Sequence, residues 1–104
     1  MNHIKELGET IHRLHGAKAK HSKSVPVKED FEGQTVWDGI VEVFDLTGHP
    51  QTDKAYAWMH DTENPKRPKR RVTVLNIPPV VSPETAVRAV IVQEYRKHGK
   101  RHEN

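Results

Sequence analysis

Ile4, Leu7, Ile11 and Leu14 recur at spacings of three, four and three residues, which lays one narrow apolar stripe along a helix over residues 1–15. Gly16 follows where a helix stops, because glycine tolerates the left-handed turn that ends one. Gly8 inside the stripe costs about 1 kcal/mol relative to alanine, and so short a helix is marginal alone. The stripe therefore needs a surface to dock on. Beyond it the pattern fades: residues 16–33 are rich in Lys, Ser and Glu, with apolar side chains only at Ala17, Ala19, Val25, Val27 and Phe31. That composition predicts a flexible linker.

The pattern then changes period. Residues 35–46, 54–60 and 70–77 are rich in β-branched and aromatic side chains and read as strands, separated by turn chemistry at 47–50 and a Pro- and Lys-rich loop at 61–69. Pro78 and Pro79 end the third, since neither can donate to a ladder. Ser82, Pro83 and Glu84 read as helix cap, first-turn proline and first-turn acid. Val87, Val90, Ile91 and Val92 make a fourth strand the competing reading there, but the cap favours a helix to about His98, stopped by Gly99. The expected fold is α+β: an N-terminal amphipathic helix, a three-stranded antiparallel meander, and a C-terminal helix packed on the sheet. Residues 34–98 hold 25 of the 35 apolar side chains, so they form the expected domain, with 99–104 a disordered tail.

Centring the two hairpin loops places Ile40, Phe44, Leu46, Ala55, Ala57, Met59, Val72 and Val74 on one face. The other face then carries Val41, Val43, Tyr56, Trp58, His60, Arg71, Thr73 and Leu75. Small alanines admit a helix closely, so the C-terminal helix is expected on the first face. Val41, Val43, Tyr56 and Trp58 are left as an apolar patch for the N-terminal helix or a partner to cover. On this reading a fragment spanning 34–104 folds alone.

Hydrophobic residues make up 34% of the chain and the mean hydropathy is −0.83, which agrees with segments lying outside the core. No apolar run approaches the roughly 18 residues of a membrane span. The absence of cysteine removes disulfides, thiolate metal sites and cysteine nucleophiles, and suits a reducing compartment. The N-terminus carries no signal-peptide apolar stretch, and Glu6 and Glu9 argue against a transit peptide, so a cytoplasmic location is expected. The net charge of +3 is segregated: residues 1–24 and 65–104 are basic, while residues 25–64 set two lysines against nine acids. Blocks of opposite sign pair with one another, which weakens the case for a polyanion partner.

The text of residues 36–46, with Gly48-His-Pro50, Ala55-Tyr-Ala-Trp58 and residues 83–91, resembles a group of small bacterial proteins sharing VEVFDL, GHP, AYAW and AVRAAI-like segments. The resemblance spans the expected domain and implies a bacterial origin and those domain limits. It brings no activity, cofactor or catalytic residue.

Eight histidines invite a metal reading, since His12 and His15, and His98 and His102, stand at helical spacings. Without thiolates or a matched acid, solvated histidines are expected and no metal is assigned. Ser22, Ser24 and Ser82 lack the glycine-flanked turn of a nucleophile, and Asp45, His49 and Asp53 read as polar loop residues. No phosphate-binding loop is present, so the chain is expected to be neither an enzyme nor a cofactor binder. The expected function is an interaction module that binds a partner protein or itself through Val41, Val43, Tyr56 and Trp58. The alternative is nucleic-acid binding by the basic hairpin, with Lys66, Arg67, Lys69, Arg70, Arg71 and Thr73 on phosphates or in a groove.

Overall fold

A computed structural model describes residues 3–61, 65, 66 and 69–102. The chain runs α1 (His3–His15), β1 (Lys18–Phe31), β2 (Gln34–Thr47), β3 (Lys54–Asp61), β4 (Lys69–Leu75) and α2 (Pro83–His102). The strands form one antiparallel meander in the order β1-β2-β3-β4, with α1 on one face and α2 on the other. No helix among the described residues is long and apolar enough to cross a membrane.

Residues 16–33 are not a linker; most of them are β1, so the sheet has four strands rather than three. Glu32 and Gly33 both take positive φ, 52° and 79°, which closes a two-residue turn of the kind that matches strand twist. Phe31 pairs with Gln34 across it. Composition hid the strand because β1 is an edge strand. Its exposed lysines suit a strand that faces solvent on one side, and a proline at position 26 is tolerated there.

β2 and β3 pair as the pattern predicts, Val43 opposite Tyr56 and Phe44 opposite Ala55. β4 is offset by one residue from the expected register. Val72 and Val74 stand opposite Trp58 and Tyr56, and Arg71, Thr73 and Leu75 move to the alanine face. The helices are exchanged as well. Leu7 and Ile11 of α1, fully buried, press on Phe44, Leu46, Ala55 and Ala57. The small residues of α2, Ala86 and Val87, sit against Tyr56, Trp58, Val41 and Val43. Large helix side chains meet small sheet residues on one face, and the reverse holds on the other. Val41, Val43, Tyr56 and Trp58 are at most 2% exposed, so the proposed partner-binding face is the chain's own core. Trp37 meets Trp58 edge-to-face at 5.6 Å and lies over Gly39, where a Cβ would come within 3.0 Å of the ring.

Both helix boundaries seen in the sequence at Gly16 and Ser82 hold. Gly16 has φ 71° and its N–H donates to the His12 carbonyl at 2.9 Å. The Thr85 N–H donates to Ser82 Oγ at 3.2 Å, while the Ser82 N–H donates back to Thr85 Oγ1 at 2.9 Å. α2 continues through Gly99 to His102 instead of fraying into a tail at 99.

Because β1 and α1 supply core side chains, a fragment spanning 34–104 is expected to show no cooperative melt, the reverse of the sequence expectation. In the full chain Leu7→Ala should lower unfolding free energy by about 2–5 kcal/mol in urea titrations. A cooperative transition in the fragment would show that the sheet stands without its edge strand.

Candidate functional site

The pairing of β1 with β2 is interrupted twice, between His21 and Lys23 and between Glu29 and Asp30, and the first interruption shapes the site. His21 lies opposite Phe44 and Lys23 opposite Val43, so Ser22 is an extra residue, a bulge. In a regular strand His21 and Ser24, three apart, would point to opposite faces. The bulge turns both toward α1, where Ser24 lies opposite Glu42.

Glu42 is 3% exposed and gathers three polar groups. Ser24 Oγ donates to Oε1, His21 Nε2 donates to the same oxygen at 2.8 Å, and His3 Nε2 of α1 stands 3.5 Å from Oε2. Burial pushes the carboxyl's pKa up, but hydrogen bonds from Ser24, His21 and His3, joined by the charge that His21 carries when protonated, outweigh it and hold it below the ordinary value. Glu42 is therefore an ionised, satisfied carboxylate under the start of α1.

Serine, histidine and glutamate in contact suggest a hydrolytic triad, yet the order is wrong for one. A relay needs imidazole between acid and hydroxyl, one ring nitrogen for each. Here the carboxylate is in the middle: Ser24 Oγ gives its hydrogen to Glu42, and the same His21 nitrogen faces both Glu42 and Ser24, the latter at 3.5 Å. The hydroxyl is held as a donor to the acid, not activated by a base.

Beside this cluster a groove of about 760 Å³ opens between α1 and β1. Ile4, Gly8, Ala19 and Phe44 supply its apolar lining. A Cβ on Gly8 would stand 3.4 Å from the Phe44 ring, in ordinary contact, so the glycine leaves space open rather than relieving a clash. Lys5, Glu9 and His12 line it from α1, and Lys18 and His21 from β1. His12 Nδ1 lies 3.2 Å from the Ala17 carbonyl, and His21 packs edge-to-face on Phe44 at 5.5 Å.

The other residues singled out in the sequence are placed elsewhere. Arg71 pairs with Glu6 at 2.8 Å and Thr73 Oγ1 meets His15 Nε2 at 3.1 Å, so both are engaged by α1. Helices cover both faces of the sheet around β3, where Tyr56, Trp58, Ala55 and Ala57 lie. Lys66 and Arg70 are exposed; Arg67 and the Lys69 side chain lie outside the described residues. His12 and His15 have separate partners, and the side chains of His98 and His102 lie outside the described residues. Among the described residues no three His, Cys, Asp or Glu side chains gather to hold a metal ion. His49 Nδ1 accepts the Gln51 N–H at 3.1 Å, which makes it a turn residue. Burial, and then the nearby His49, push the pKa of His15 down, so its neutral form is the one that docks.

Comparison of the chain with protein-family models, with curated proteins and with solved structures finds no match.

A carboxyl held below its ordinary value stabilises the fold above the unfolded value of 4.5, and that contribution is lost as pH falls through the folded value. Glu42→Gln is expected to cost about 1–3 kcal/mol at neutral pH, with the gap to wild type closing below about pH 4.5 in urea melts. A gap that stays constant down to pH 3 would mean that Glu42 contributes no ionised form to stability.

Proposed function

We propose that this chain is a non-enzymatic interaction module that docks an extended, acidic segment of a partner protein in the groove between α1 and β1. The observation that carries this reading is the groove's make-up: an apolar lining left open by Gly8, with Lys5 and Lys18 at its sides against Glu9. Small apolar centres ringed by charge are how interfaces combine affinity with selection of the partner's sign. The position of β1 at the sheet edge supports an extended occupant, since an edge strand offers backbone donors and acceptors to an added strand. The carboxylate-centred order of Ser24, Glu42 and His21 supports the non-enzymatic half of the reading. With Arg71 and Thr73 tied to α1, the basic hairpin loses two of the contacts that a nucleic-acid surface there requires.

An octapeptide alternating leucine and aspartate, titrated into the ¹⁵N-labelled full chain near pH 6, is expected to shift the amides of Gly8, Ala19, His21 and Phe44. Gly8→Ala fills the groove while improving helix propensity, so it should raise stability by up to about 1 kcal/mol and weaken the peptide. That pairing separates docking from folding. A lysine-leucine peptide producing the same shifts, or no shifts with either, would sink the reading. Binding of duplex DNA instead, falling steeply above about 50 mM salt, would point to a polyanion partner. A concentration-dependent mass in light scattering, with the same amides moving, would make the partner a second copy.

A further inference from the structure

We infer that protonation of His12 and His21 converts the groove from a weak into a strong receptor for carboxylates, so that partner docking tightens as pH falls. The inference rests on the docking reading above and adds its regulation.

The hydrogen bonds fix which nitrogen of each ring carries hydrogen. His12 Nδ1 lies 3.2 Å from the Ala17 carbonyl, and a carbonyl only accepts, so Nδ1 carries the hydrogen and Nε2 of the neutral ring is a bare lone pair. His21 Nε2 lies 2.8 Å from an ionised carboxylate oxygen of Glu42, so Nε2 is the donor and Nδ1 is bare. Neither bare nitrogen has a hydrogen-bond partner among the described residues, and both histidines are among the residues that line the groove. In the neutral state the groove therefore offers a ligand two acceptors, which repel a carboxylate. Protonation fills both lone pairs and supplies two donors and two charges at once. Imidazole is the side chain whose ordinary titration makes that change between about pH 5 and 8.

The surrounding charges determine how much the change matters. Lys5 and Glu9 face the groove from α1 and Lys18 from β1, while Glu42 of β2 lies against His21, with His3 on its other oxygen. With neutral rings the two lysines of the lining exceed its one acid, Glu9, by a single charge, a weak attraction for a carboxylate. With His12 and His21 protonated the site is strongly cationic. Glu42 neutralises much of the charge on His21 across their hydrogen bond, whereas His12 faces only a backbone carbonyl. His12 is therefore the main responder.

Two measurements on the full chain test this. Long-range ¹H–¹⁵N spectra at about pH 8 should show His12 protonated on Nδ1 and His21 on Nε2, a readout that needs no ligand. The leucine-aspartate octapeptide, whose side chains stay ionised well above their ordinary value of about 3.9, should bind about tenfold tighter at pH 5.5 than at 7.5. His12→Gln should remove most of that difference and His21→Gln a smaller part, each with a wild-type-like backbone spectrum away from the groove. Equal affinity at both pH values would overturn the switch and leave the docking reading standing, as would the opposite tautomer on His12. No binding at either pH would remove the docking reading, and the switch with it.

Discussion

Because β1 pairs with β2 over nearly its whole length, both helices have a floor to pack on. Ala17 and Ala19, at the start of the hairpin, lie beneath α1, while Val25 and Val27, further along, join the layer under α2. The same pairing brings Glu29 to Arg88, 2.6 Å apart, tying α2 to the sheet edge. It also carries the bulge at Ser22, without which His21 and Ser24 would not meet at Glu42. Core, site and groove all descend from one edge strand.

The second constraint is volume. A four-stranded sheet that buries both faces needs a helix of the right girth for each. Tyr56 and Trp58 on one side leave room only for the small face of α2, while Ala55 and Ala57 on the other leave a hollow that Leu7 and Ile11 fill. Polar ties then fix where α1 lies along its hollow: His3 to Glu42 at one end, Glu6 to Arg71, and His15 to Thr73 at the other. Lone surface ion pairs add little stability. Distributed along a helix, these ties fix its register and so the width of the groove beside it.

Much of this was legible in the sequence. The stripe from Ile4 to Leu14, its stop at Gly16, the Ser82 cap and the β2–β3 register follow from period and capping chemistry, which are local properties. β1 was not legible by composition, because an edge strand wants lysine and tolerates proline, the same residues that mark a linker. Its available signal was Glu32-Gly33 closing a turn between the alternating Val25, Val27 and the residues after Thr35. The face assignment failed for a different reason: a one-residue offset in β4 depends on how the second hairpin closes, which alternation alone does not determine. The site was invisible for a third reason. Ser24, His21 and Glu42 converge only through a bulge, and nothing in the spacing of His21 and Ser24 announces one.

The meander order has a kinetic meaning. Every strand hydrogen-bonds to its neighbour in sequence, so no pairing waits on a long crossover. Loop-closure entropy is then small at each step, and chains rich in such near-neighbour contacts cross their folding barrier quickly. One helix precedes the four strands and the other follows them, and they cover opposite faces, so neither has to thread past the other. A sheet zipped hairpin by hairpin and closed from both ends leaves little time for its β1 edge to find another molecule before the native partners are in place.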